Sequence, residues 1–234
     1  MRDRWDAVRA IADEQWGLIT KQQIAMTGIA GTTVTRQLDG GSLERVARGV
    51  YRVRGGNEPD HLELRAAWLQ LEPAVPAWER TAATGAVSHR SAAELYGIGH
   101  LPADRYEFTL PVRRQTRRDD VRLHRAEVVH DCITLRGLPV TRPSRIAADL
   151  LADREDPGAV AQLIVEALRS VFDYAESFAS AIAPYASAYG LPRRNGIALL
   201  RWLLELSGDP GRHEWLAEAA TADEGASARM GASQ

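Results

Sequence analysis

The chain reads as α+β, with short helices and a hairpin at its N-terminal end, a mixed α/β region behind them and a helical C-terminal part. Three observations predict this. Apolar residues recur at helical spacing over roughly the first forty positions; short β-branched runs bounded by turn residues follow at 43–53 and again between 106 and 141; and from Pro143 the apolar stripes are helical to about Leu206. At 234 residues the expectation is two compact units.

Trp5, Val8, Ile11, Ala12 and Trp16 share one face, predicting a first amphipathic helix over 4–16 that Gly17 ends. Thr20 followed three residues later by Gln23 is a capping-box pattern, and it predicts a second helix over 21–27 that stops at Gly28. The segment TTVTRQLD places Val34 and Leu38 on a buried stripe, which predicts a third short helix before Gly40 and Gly41. LERV and GVYRV then read as two strands around a basic turn. Three helices and a hairpin predict a winged helix-turn-helix over 1–56. Such a unit sets its third helix in the major groove of DNA. The candidate contacts are therefore Thr32, Thr33, Thr35, Arg36 and Gln37 on that helix, with Arg45, Arg48, Arg52 and Arg54 on the hairpin.

The second unit is expected over 57–220, with 221–234 as a small, polar, disordered tail. GGNEPDHL reads as a linker and a helix follows to about Leu71. Ser88 is placed to cap a helix, HRSAAELY, that ends at Gly97. YEFTLP, VRLHRAE, DCITL and LPVT read as four strands, after which Thr141 with Pro143 opens one helix and Asp156 with Pro157 another. Gly208 and Pro210 end the helical stretch.

The formal net charge of -2 hides a segregation. Residues 1–56 carry nine basic against six acidic side chains and residues 105–145 ten against five, so two basic segments sit on an acidic body. Binding answers to the local field rather than the total. Within the second basic segment, Arg113, Arg114, Arg117, Arg118, Arg122 and Arg125 form a possible secondary nucleic-acid contact, against the alternative of a hydrated loop offset by Asp119 and Asp120.

Composition also excludes. Lys21 is the only lysine and lacks the neighbourhood of a phosphate-binding loop, a kinase or a lysine-dependent nuclease. Cys132 is the only cysteine, so a multi-thiolate zinc site cannot be built within the chain, and a buried structural thiol is expected. No apolar run resembles a signal peptide or approaches the roughly 20 residues of a membrane span. A cytoplasmic protein with no membrane partner is the expectation.

Candidate chemistry is sparse. Ser88 and His89 are adjacent, which does not supply the usual nucleophile and base geometry. His124 and His130 lack the spacing of a helical metal pair, and Asp149 with Asp153 reads first as a solvated helix face. No catalytic residue, metal or cofactor is expected.

Beyond these elements, GLITKQQIAMTGI, VTRQLDGGSLERVARGVYRV, AVSHRSAAELYGI, YEFTLP, VRLHR and GLPVTRPSRIAADLL, spanning about residues 15–151, resemble the AbiEi-type antitoxins of abortive-infection toxin-antitoxin operons, mycobacterial relatives included. The resemblance implies a repressor of its own operon that binds double-stranded DNA at inverted repeats in its promoter, upstream of a nucleotidyltransferase-like toxin gene. It implies neutralisation without an obligatory stable complex and transfers no catalytic residue. Two alternatives stay open from the residues: an antitoxin that binds its toxin directly, and a nuclease with a DNA-targeting domain.

Overall fold

The computed structural model describes residues 2–56 and 58–231, with side chains over 4–56 and 58–222. The chain divides into two units, Met1–Thr84 and Gly85–Gln234.

In the first unit α1 (Arg2–Asp13) is followed by β1 (Leu18–Thr20), α2 (Lys21–Met26), α3 (Gly31–Asp39), β2 (Leu43–Ala47), β3 (Val50–Val53) and α4 (Leu62–Leu71). The three predicted helices and the hairpin are present. β1 is an addition: LIT lies antiparallel to β3, making a three-stranded sheet in the order β1-β3-β2. Helix, strand, two helices and a hairpin in this order fit a winged helix-turn-helix. Val8, Ala12, Ile19, Ile24, Val34, Leu43 and Tyr51 form its core, with Trp5, Ile11, Ile29, Leu38 and Val53 packed around them. Each fully buried aliphatic side chain contributes about 1.5–3 kcal/mol, enough for so small a core to hold three short helices that would not form alone.

The predicted boundary after residue 56 moves to Thr84. The reason is a buried polar network. Gln15, Thr20 and Gln23 are all enclosed, and their polar atoms need partners. Gln15 Nε2 donates to Leu18 O and to Gln23 Oε1, each at 2.7 Å. Thr20 Oγ1 donates to Pro73 O, Gln23 Nε2 to Val75 O, and the Ala77 N–H to Gln15 Oε1. The stretch after α4 thus completes the first unit instead of opening the next. Arg80 closes the end of α4: its guanidinium donates to the carbonyls of Trp68 at 2.7 Å, Leu69 at 3.0 Å and Glu72, and stacks 4.4 Å from the Trp68 ring centre. Those are carbonyls the helix itself leaves unpaired.

The second unit runs β4 (Ala86–Val87), α5 (His89–Tyr96), β5 (Tyr106–Leu110), β6 (Val121–Arg125), β7 (Cys132–Leu135), β8 (Leu138–Thr141), α6 (Pro143–Ala152), α7 (Pro157–Arg169), α8 (Ala175–Ile182), α9 (Gly196–Ser207) and α10 (Arg212–Gly231). The four predicted strands join the two-residue β4 in a mixed sheet ordered β6-β5-β4-β8-β7. β4 pairs antiparallel with β5 and parallel with β8, so it is central despite its length. Val87, Phe108, Leu138 and Val140 are fully buried in it. α6, α7, α8 and α9 pack on one another through Ile146, Val160, Leu163, Phe178, Leu199 and Leu203. Gly196 is required where α8 and α9 meet, since a Cβ there would lie 1.8 Å from Ala179 O.

Two helix starts differ from expectation in the same way. Ser88 holds the N-cap position of α5 but makes no capping bond; Glu107 on β5 accepts from the Arg90 N–H at 3.0 Å instead. Arg142, not Thr141, is the N-cap of α6, where Asp173 accepts from the Ser144 N–H at 2.9 Å. A distant carboxylate at a helix N-terminus satisfies an orphan amide and meets the positive end of the dipole. The segment from 221, expected as a disordered tail, continues α10 as helix to Gly231, and 232–234 lie outside the described residues. Ala217, Ala219, Ala220, Ala222, Ala226 and Ala228 explain it, since alanine is the strongest helix former.

Candidate nucleic-acid interface

The helix pair α2 and α3 is set by local chemistry. Thr20 and Gln23 form the predicted capping box: Thr20 Oγ1 accepts from the Gln23 N–H at 3.1 Å and Gln23 Oε1 from the Thr20 N–H at 3.0 Å. The turn between the helices passes through Gly28 at φ +76°, a conformation that favours glycine. Arg4 lies along this turn and its Nη1 donates to Gly28 O at 2.9 Å.

On α3, Val34 is buried, while Thr32, Thr35 and Arg36 are exposed and Thr33 and Gln37 half-buried. Thr35 Oγ1 turns back onto Gly31 O at 3.3 Å, so part of its hydrogen-bonding capacity serves the helix. Thr33, Arg36 and Gln37 line one cavity of about 430 Å³ together with Arg4 and Trp5 of α1. Arg4 was not among the predicted contacts. Its position four residues before Val8 was the available signal, because that spacing sets it at the head of the inward stripe and not on the outer face.

The hairpin places Arg45, Arg48 and Arg54 at the surface. Its turn is anchored from below, with the Lys21 N–H donating to Gly49 O at 2.8 Å and Gln70 Nε2 to Arg48 O at 2.7 Å. Arg52 departs from the predicted role. It faces Glu44 across the hairpin, pairs with it at 2.9 Å and with Glu58 at 2.7 Å, and keeps only 17% of its side chain exposed. Its charge is spent inside the unit. The Arg52 guanidinium in turn holds the Glu44 carboxyl below its usual pKa. Arg54 approaches the same carboxylate at 3.5 Å but remains mostly exposed.

In the second unit the arginine-rich segment is the connection between β5 and β6, which pair in parallel. Arg113, Arg114, Arg117 and Arg125 are exposed. Arg122 is exposed as well and pairs with Asp153 at 3.0 Å, while the partly buried Arg118 clasps Asp120, with Nε at 2.9 Å from Oδ1.

The residues weighed for catalysis also find their places. Ser88 is fully buried, and His89 Nδ1 lies 3.0 Å from Ser88 Oγ. Asp149 Oδ2 approaches that same nitrogen at 3.9 Å. A nucleophile and an orienting carboxylate must address opposite ring nitrogens, so this is no triad. Asp149 is buried, contrary to the solvated face expected of it, while His130 is exposed. Cys132 is half-buried, and burial pushes its thiol up to about 12, which leaves it a protonated, unreactive group.

No helix among the described residues is long and apolar enough to cross a membrane. Residues 6–54, from within α1 to just past β3, match the family model described as transcriptional regulator, AbiEi antitoxin. The resemblance drawn from the sequence is thereby found again in the first unit. No curated protein matches the chain.

Proposed function

We infer, from the match of its N-terminal unit to the AbiEi antitoxin regulators, that this chain is a sequence-specific DNA-binding repressor and the antitoxin of a toxin-antitoxin operon. Its ligand is double-stranded DNA at inverted repeats in its own promoter, and its functional partner is the nucleotidyltransferase-like toxin of that operon. It works in the cytoplasm and needs no chemistry of its own. The observation that carries this reading is the cluster of Thr33, Arg36 and Gln37 around one cavity with Arg4, beside the exposed Thr32, on the helix that such folds lay in the major groove.

The division of labour follows from the side chains. Arg36 has the fork that pairs with guanine and Gln37 the amide that pairs with adenine, so these read bases. Arg45, Arg48 and Arg54 meet phosphates and supply affinity through counterion release. Arg113, Arg114, Arg117 and Arg125 offer a second cationic surface of the same kind.

The test is mobility shift of the purified chain on DNA from immediately upstream of its own gene, with scrambled competitor, at two salt concentrations and with and without magnesium. A specific, salt-sensitive, uncleaved complex is expected. Cleavage with magnesium would turn the reading to a nuclease. A second reading, direct contact with the toxin, is favoured by Val171, Phe172 and Tyr174, which stand 70%, 41% and 61% exposed on one turn of the second unit. Its mark is a stable complex on size exclusion that Phe172→Ser abolishes.

A further inference from the structure

Among the described residues, an unusual side-chain cluster lies in the second unit. His89, the first residue of α5, is buried and holds a left-handed backbone at φ +53°. For a residue other than glycine that conformation is unfavourable, and it persists only where the surroundings enforce it. It carries the His89 imidazole against His124 of β6, ring centres 3.5 Å apart and planes within 14°. Donor atoms of His89, His124 and Asp153, the last at the end of α6, all lie within 4.8 Å of one another.

The surroundings are those of a ligand set. Glu107 Oε1 lies 3.1 Å from His124 Nε2, which fixes that ring from behind and leaves Nδ1 as the donor, the arrangement in which carboxylates orient metal-binding histidines. Asp149 Oδ1 accepts from Arg145 Nε at 2.8 Å, while its Oδ2 is buried without a hydrogen-bond partner and aimed at His89. A buried carboxylate oxygen left so is expensive unless something cationic meets it.

We propose that His89, His124 and Asp153 bind one transition-metal ion of the zinc class. Two imidazoles with a carboxylate suit zinc, cobalt or nickel, whereas magnesium and calcium take oxygen alone. The site stands apart from the DNA-binding reading. Two movements accompany occupation. The lone pairs of parallel rings run side by side and converge on one ion only when the rings tilt, so the stack opens. Arg122, now 3.0 Å from Asp153 and half-exposed, swings out to release the carboxylate.

The probe is cobalt(II) alone, titrated into the full chain after chelator treatment and followed by its visible d–d absorption. One ion per chain is expected, displaced by zinc and not by magnesium. Asp153→Asn and His124→Asn, each checked for native circular dichroism and melting, should weaken binding about ten-fold or more. Arg122→Ala, which removes the competing cation, should bind more tightly. Absence of cobalt absorption in the folded chain overturns the site. So does binding unchanged in folded Asp153→Asn, which would place the ion on a surface histidine, and so does equal or weaker binding by Arg122→Ala.

Discussion

Glu44 and Arg52 occupy directly opposite positions of the wing hairpin and are joined at 2.9 Å. The pair turns a residue that reads as a DNA contact into a brace, with Glu58 holding the other end of the guanidinium. Arg52→Ala should therefore lower the melting temperature of the first unit by a few degrees and leave the salt dependence of DNA binding unchanged. A decrease in salt slope would return Arg52 to the phosphate contacts.

The same pair sets a pH dependence. The hydrogen bond and charge of Arg52 hold Glu44 below its ordinary pKa of 4.5. A depressed carboxyl stabilises the folded state above its unfolded-state pKa, and this is lost as pH falls through the lower folded-state value. The melting temperature of wild type should exceed that of Glu44→Gln near neutrality, and the gap should close on acidification below 4.5. A gap constant with pH would mean that the substitution acts through packing.

Arg36 and Arg48 separate specificity from affinity. Arg36→Ala should cost about 1–3 kcal/mol on the operator and relax preference at one base pair, because its fork reads a purine edge. Arg48→Ala should weaken binding to all sequences alike and lower the salt slope by about one unit, the signature of one lost phosphate contact. Equal loss across sequences for Arg36→Ala would assign it to the backbone instead.

Local signals carried most of the first unit. The Thr20–Gln23 capping box, the glycine at 28 and the Val34–Leu38 stripe each depend on neighbours within a few residues, and each is found where the spacing puts it. What escaped depends on distant partners. β1 exists because LIT meets β3 some thirty residues on, and three apolar residues between two helices carry no period of their own. Glu107 and Asp173 cap α5 and α6 from other elements, so Ser88 holds the N-cap position of α5 without supplying the capping bond, and the N-cap of α6 falls on Arg142 rather than Thr141. The approach of His89 to His124 is legible only once β5 and β6 pair in parallel and Thr109 stands beside His124.

Arg80 tests how α4 is held. Its guanidinium is buried against carbonyls of the last turn of α4, and Trp68 is stacked beneath it. Arg80→Met keeps the length and apolar contact but strips the donors, so it should destabilise the first unit by about 3 kcal/mol in urea denaturation. Arg80→Lys should recover only part, since an ammonium cannot span several carbonyls as the planar fork does. Full recovery by lysine would reduce the role to charge alone.

The boundary at Thr84 leads to a sharper test. A chain ending after Gly56 has all three predicted helices and the hairpin, yet loses α4, which packs on β2 and β3 and buries Leu64, Trp68 and Leu69. It also strips Thr20, Gln23 and Gln15 of Pro73, Val75 and Ala77, leaving buried polar atoms short of partners at the start of α2. Several such losses at about 1–3 kcal/mol each are comparable with the whole stability of a domain this small. The 1–84 chain should melt cooperatively and keep specific operator binding, whereas the 1–56 chain should show neither. Cooperative melting of 1–56 would mean that the core around Val8, Ile24 and Val34 suffices alone, and that α4 belongs to the unit only by attachment.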